Sequence, residues 1–178
     1  MTWRRSHLAC GIAVLIAVAA TLSLSQYAVV LRVESDSMAP TITVGDLVVS
    51  TRLQSEAIER GGIYVFNDPG GWSDTVAQHT GRPSVAPIFV KRVIGLPGER
   101  VACCDADGRI TVDGVPLDED YLESDARLAS ILAFDVLVPD DTLFMLGDAR
   151  ENSIDSRYLG TVPIESLVAR ERFTLSLP

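Results

Sequence analysis

The feature that most constrains this chain is a run of 24 residues, positions 8–31, without a single charged side chain. As a helix rising 1.5 Å per residue it would reach about 36 Å, enough to cross a hydrocarbon core of about 30 Å. Its apolar density is greatest over 8–24, and Gln26 and Tyr27 read as its emergence at an interface. Arg4 and Arg5 precede it, and positive charge stays on the cytoplasmic side of a membrane. The pattern predicts a short cytoplasmic N-terminus over 1–7, a transmembrane anchor over 8–26, and an extracytoplasmic domain over 27–178. The chain would then be a single-pass protein of the plasma membrane. Two other export readings share part of the pattern: a cleaved secretory signal, with small residues at Ala17-Val18-Ala19, and a twin-arginine signal at Arg4-Arg5.

A chain of 178 residues leaves room for one further domain beyond the anchor. With 15 Lys+Arg against 24 Asp+Glu the net charge is −9, which argues against nucleic acid as a partner, since phosphate binding needs clustered positive charge. Hydrophobic residues at 47% exclude a disordered chain. Cys10, Cys103 and Cys104 match no metal-ligand spacing, so no metal is expected. Along a regular strand Cys103 and Cys104 would point to opposite faces as two separate small side chains.

Alternating runs at 29–34, 47–51, 63–67, 88–94, 100–104, 109–113, 142–146 and 167–175 predict short strands. Asp107-Gly108 and Asp113-Gly114 mark tight turns between them. The expected fold is mainly β: an antiparallel coiled sheet or a closed or partial barrel behind one N-terminal transmembrane helix, with single helical turns at 55–60 and 117–124. Positions 67–87, rich in Gly, Pro and Ser, read as an irregular surface excursion. Its Trp72 is either a lipid-facing anchor or tucked onto its own loop.

The chemistry turns on what is scarce. Only His7 and His79 could serve as an imidazole base, one at the cytoplasmic edge of the anchor and the other in the irregular excursion, and no GxSxG elbow exists. Lys91 is the sole lysine, and it lies inside the apolar strand IFVKRVI at 88–94. One of Lys91 and Arg92 must face inward if that strand has one buried side. A buried lysine loses its charge more easily, and a neutral amine can accept a proton; a solvated Lys91 would be a poor base.

Three blocks then resemble the type I signal peptidases, membrane-bound serine proteases that remove export signals. ESDSMAPT at 34–41 is similar to that family's SxSMxPT, VKRVIGLPGE at 90–99 to its KRxxGLPGD, and GDARENSIDSR at 147–157 to its GDNRxxSxDSR. The resemblance implies Ser37 as nucleophile and Lys91 as general base. It implies an oxyanion hole from the Ser37 N–H and the Ser35 hydroxyl, and Ser153 as the group that orients the Lys91 amine. Asp155 and Arg157 would brace the third block as an ion pair, Asp148 with Arg150 would structure its turn, and Met38 would line a pocket for small substrate side chains.

No cofactor and no metal are implied; the partners would be signal peptides of exported preproteins and membrane lipid. Ala149 departs from the family's usual Asn. Two alternatives remain at this point: a dedicated or self-cleaving Ser-Lys protease, and a non-catalytic anchored binding domain.

Overall fold

Short apolar runs broken by Gly and Asp turns cannot propagate a helix, and they pair instead as strands. The computed structural model describes residues 27–122 and 129–176; the anchor expected over 8–26 lies outside them. The strands are β1 (Ala28–Arg32), β2 (Leu47–Arg52), β3 (Ile63–Asn67), β4 (Ile88–Gly95), β5 (Arg100–Cys103), β6 (Ile110–Val112), β7 (Val115–Pro116), β8 (Phe134–Leu137), β9 (Thr142–Leu146), β10 (Val162–Pro163) and β11 (Leu167–Leu175). Two helices join them, α1 (Trp72–Thr80) and α2 (Ser156–Leu159), with a 3-10 turn at Ile164–Ser166.

Pairing is antiparallel throughout the described residues. A seven-stranded sheet runs β1-β2-β11-β3-β4-β9-β10 and a four-stranded one β7-β6-β5-β8. Because β1 and β10 end the larger order without pairing to each other, that sheet is open, which corrects the expectation of a closed barrel. The Asp113-Gly114 turn joins β6 to β7 with Val112 opposite Val115, and both turn residues have positive φ, 50° and 78°. That is the two-residue hairpin geometry that an Asp-Gly pair favours.

Three apolar clusters hold the sheets. Ile94, Val101, Ile110, Val138, Phe144 and Leu146 join the small sheet to the ends of β4 and β9. Tyr64, Phe66, Trp72, Phe89, Val93 and Met145 fill a second cluster, and Met38, Ile42, Val48 and Ile63 a third. The excursion over 67–87 is irregular only in part, since Trp72–Thr80 form α1: Asp68 accepts hydrogen bonds from the backbone N–H groups of Gly70, Trp72 and Ser73 at 2.8–2.9 Å, which satisfies donors at the start of that helix. Trp72 is 3% exposed, edge-on to Phe66 at 5.5 Å and to Phe89 at 5.6 Å, so it is a core residue and not a lipid-facing anchor.

The expected helical turn at 55–60 is also absent, because its side chains bond across the fold rather than along a helix: Glu56 accepts from Arg172, Glu59 from Arg170, and Arg60 donates to the Ile94 carbonyl. Within 117–122 there is only a turn. Cys103 and Cys104 are joined as a disulfide across a cis peptide, where a regular strand would have separated them.

Gly95 sits where β4 meets the small sheet, and a Cβ there would lie 2.4 Å from Val101 Cγ2 and 3.2 Å from Phe144 Cβ. Gly95→Ala should therefore cost about 1–3 kcal/mol of stability through overpacking, read as a lower denaturant midpoint at unchanged slope. An unchanged midpoint would mean that the small sheet does not press on β4.

Candidate active site

Chain geometry brings Ser37 to its place through its neighbour. Beyond β1 the backbone closes on itself, Val33 N–H donating to Asp46 O and Gly45 N–H to Val33 O, both at 2.9 Å. Met38 and Ile42 then plug the third apolar cluster at 2% and 1% exposure. With Met38 fixed in the core, the residue before it has little freedom. Met38, expected as a pocket residue, borders the groove described below but is chiefly a core side chain.

Lys91 comes from the middle of β4, between β3 and β9. The expectation that one of Lys91 and Arg92 faces inward is corrected: they are 3% and 8% exposed, and both are buried. Strand alternation sends them to opposite faces, and both faces of β4 are covered. The Lys91 ammonium Nζ donates to Ser37 Oγ at 2.6 Å, and the Ser35 hydroxyl donates to the same Oγ at 3.3 Å. Burial pushes the Lys91 amine down to about 8, against the opposing pull of Asp155 and Asp148 and with the help of the Arg157 charge.

Arg92 is engaged elsewhere. Its Nε and Nη2 donate to the two carboxylate oxygens of Asp148 at 2.9 and 2.6 Å, and its Nη1 donates to Gly61 O at 2.7 Å. Thr41 Oγ1 donates to the same Asp148 carboxylate at 2.6 Å, and Ala149 N–H donates to Ser37 O at 3.1 Å. Two bonds thus tie the Ser37 loop to the 147–157 segment. The Asp148 carboxylate is consequently Arg92's partner, while Asp148 and Arg150 meet through the backbone, Arg150 N–H donating to Asp148 O at 2.9 Å; among the described residues the guanidinium of Arg150 pairs with Glu119 at 2.6 Å.

Asp155 and Arg157 pair in two bonds of 2.8 Å with both side chains fully buried, and Asp155 also accepts from Gly147 N–H at 3.0 Å. Ser153 is buried at 3%, yet its Oγ makes no hydrogen bond among the described residues. The bond expected from Ser153 to the Lys91 amine is therefore not present, because this hydroxyl lies against Gly147: a Cβ at Gly147 would fall 2.2 Å from Ser153 Oγ and 2.2 Å from Ser37 O.

Ser37 and Lys91 open onto a groove of about 370 Å³ lined in part by Leu31, Val33, Ile88, Val90, Val85 and Ile154. Chemically, a serine hydroxyl at hydrogen-bond distance from an amine with a depressed pKa can be deprotonated as it attacks a carbonyl carbon. His79 is exposed on α1 and does not border the groove. Among the described residues no cluster of His, Cys, Asp and Glu could hold a metal ion. The sequence reading did not single out Glu119 and Tyr121, which lie in a stretch read as a helical turn, with no local signal of their contact with Arg150.

Comparison with known proteins gives a consistent family. The model of the family described as signal peptidase, peptidase S26, matches residues 3–176. The chain is 36% identical over 142 residues to "Signal peptidase I" of Leptolyngbya laminosa, covering 78% of this chain and 64% of that one. It is 38% identical over 145 residues to "Probable signal peptidase I-2" of Synechocystis sp., with 78% and 58% covered. To "Signal peptidase I" of Bacillus caldolyticus it is 33% identical over 154 residues, with 79% and 75% covered. The chain thus spans about three-fifths of the length of the first two relatives. A solved signal peptidase I from Enterococcus faecalis superposes with a TM-score of 0.49 at 29% identity, over 64% of this chain and 96% of that one.

The crowding at Gly147 yields a direct test. Gly147→Ala must push Ser37 or Ser153 aside, and a displacement near 1 Å of a reacting group costs about 10²-fold in rate. The variant should hydrolyse a peptide substrate about 10²-fold more slowly while its circular dichroism keeps the wild-type strand signal. Wild-type turnover would show that the Ser37 carbonyl yields freely.

Proposed function

The chain belongs to the signal peptidase family, peptidase S26, and from that premise we propose that it is a membrane-anchored serine endopeptidase that cleaves N-terminal signal peptides from exported proteins. The observation that carries this reading is the 2.6 Å contact between the Lys91 amine and Ser37 Oγ, with the amine held out of water. An amine with a pKa of about 8 is neutral in about one molecule in ten at pH 7, against about one in 2,500 at the free value of 10.4. Burial therefore raises the fraction of competent base more than 10²-fold.

In the proposed reaction, neutral Lys91 accepts the Ser37 hydroxyl proton as Oγ bonds to the scissile carbonyl carbon. The negative charge that develops on the carbonyl oxygen would accept hydrogen bonds from the Ser37 N–H and from Ser35 Oγ. The Lys91 ammonium then protonates the leaving amine, the C–N bond breaks, and an acyl ester on Ser37 remains. Water attacks that ester while Lys91 takes one of its protons; the ester C–O bond then breaks, Lys91 returns the proton to Ser37 Oγ, and the acid leaves the free serine and neutral amine. Asp155 with Arg157 would brace the segment facing Lys91, while the buried Ser153 hydroxyl would fill the space beneath Ser37. The apolar walls of the groove, with Met38 at its floor, favour small apolar side chains beside the cut.

The bulges between Val93 and Gly95, between Leu167 and Ala169 and between Glu171 and Phe173 support a strongly coiled larger sheet that frames this groove. No helix among the described residues is long and apolar enough to cross a membrane. The proposed anchor is 8–26, with 1–7 cytoplasmic and the catalytic domain over 27–178 extracytoplasmic. From Gln26 to Ser37 the chain spans at most about 37 Å at full extension, which would keep the nucleophile within that reach of the lipid surface, where signal peptides emerge.

The deciding experiment is cleavage of a fluorogenic signal-peptide substrate across pH. Ser37→Ala and Lys91→Ala should each lose several orders of magnitude, with no further loss in the double variant, because the two groups act as one unit. In the wild type kcat/KM should fall about tenfold per unit of pH below about 8, where Lys91 is protonated, and level off above it. His79→Ala should leave that limb in place. A limb near 6.5 that vanishes with activity in His79→Ala would refute the lysine base; full activity of Ser37→Ala would refute Ser37 as nucleophile, and a wild type that cleaves nothing would leave a binding domain.

Topology has its own test. Protease added outside spheroplasts should digest the domain after Gln26 and leave a tag placed before Thr2 intact. The reverse pattern would invert the orientation, and release of the domain into the medium would indicate a cleaved signal.

A further inference from the structure

The segment that follows β7 carries two residues that the mechanism does not use. Glu119 and Tyr121 reach back over the buried arginines of the site. The Arg92 guanidinium carbon lies 3.8 Å from the centre of the Tyr121 ring, a stacked cation on an aromatic face. The Tyr121 hydroxyl donates to Glu119 Oε1 at 2.5 Å, and the same carboxylate receives Arg150 Nη1 and Nη2 at 3.1 and 2.6 Å. Arg150 Nη2 also donates to the Tyr121 oxygen at 3.3 Å. Tyr121 is thus clamped at its hydroxyl end and pressed on Arg92 at its face.

What Arg92 does under that ring bears on the base. Its fork neutralises the Asp148 carboxylate, one of two acids whose charge favours protonated Lys91. We propose that Tyr121 is a positioning residue for the base: its ring keeps the Arg92–Asp148 pair closed and dry, and thereby limits the negative charge that Lys91 meets. The inference rests on the reading of Lys91 as general base.

The charged and titratable groups around this unit come from several elements. Lys91 faces Asp155, Asp148 and Arg157, with Tyr64 opposite it on β3. Arg92 faces Asp148, Tyr121 and Arg150, and the Glu171 carboxylate on β11 lies within its field. Removing the ring would let water reach the guanidinium and loosen its hold on Asp148. Both the freer carboxylate and the wetter surroundings favour the charged amine, so the two effects share a sign.

Because Lys91 is the only lysine, lysine labelled with carbon-13 at Cε reports one titration in the full-length chain, independent of turnover. The expected wild-type midpoint is about 8. Tyr121→Leu should raise it by about 0.5–1 unit and move the acidic limb of kcat/KM with it, a three- to tenfold lower rate below the limb. Tyr121→Phe, which keeps the ring, should leave both near wild type. Tyr121→Met serves as a second ring-free variant if the leucine variant melts early.

A ring-free variant with wild-type thermal melting and an unmoved lysine midpoint would overturn the proposal, as would a Tyr121→Phe shift equal to that of Tyr121→Leu. A midpoint that shifts as expected in a protein that cleaves no signal peptide would support the positioning role while refuting the function on which its use rests.

Discussion

Keeping one amine out of water is the constraint to which the rest of this structure answers. A lysine in the middle of a strand can be dry only if the face it points to is covered and no open sheet edge lies beside it; β4 is an inner strand between β3 and β9, and packing over it leaves Lys91 3% exposed. Moving the amine from the free value of about 10.4 to about 8 corresponds to on the order of 3 kcal/mol against the charged form. The fold supplies that preference through packing, and it does so against two nearby acids.

Those acids bring their own partners, which explains the density of arginine around the site. Asp148 with Arg92, Asp155 with Arg157 and Glu119 with Arg150 are pairs whose side chains are at most 10% exposed. Buried pairs of this kind add little net stability, because desolvation offsets their attraction, but loss of one partner costs about 3–5 kcal/mol. Their use here is geometric. Each fixes a carboxylate to a guanidinium in a set orientation, and each guanidinium also takes backbone carbonyls that no strand partner could reach: Gly61 O, Gly147 O and Arg150 O. The segment from Gly147 to Arg157 has almost no regular structure, and these forks replace the ladder bonds it lacks.

The strands were legible because they obey local rules. Each of the eight alternating runs seen in the sequence overlaps a strand of the structure, whereas β7, β8 and β10 were not seen; β7 and β10, of two residues each, are too short to show a period. α1 was missed because its start depends on Asp68, a carboxylate that lies among Gly and Pro residues and reads as turn chemistry. At the site, Ser37, Lys91, Asp155 and Arg157 were found through the three blocks, and the structure brings them together. The partner of Asp148 was not legible: two arginines, Arg92 and Arg150, stand in the blocks, and only the sheet order decides which one reaches it. Glu119 and Tyr121 gave no signal because their contacts lie 31 and 29 residues away from Arg150, a distance that no sequence period spans.

That non-locality also settles when the base can exist. Ser37 and Lys91 are 54 residues apart, and the loop of one is tied by Thr41 and Ala149 to the 147–157 segment that follows β9, itself paired with β4. Without those contacts the amine would be solvated and almost wholly protonated, and nothing would hold the serine against it. A local dyad on one turn would carry its chemistry into every partly folded state of the chain. Here the depressed pKa belongs to the packed sheet and not to the strand sequence, so in the proposed mechanism Ser37 would be unactivated until the face of β4 that holds Lys91 is closed, and would lose its base wherever that face opens.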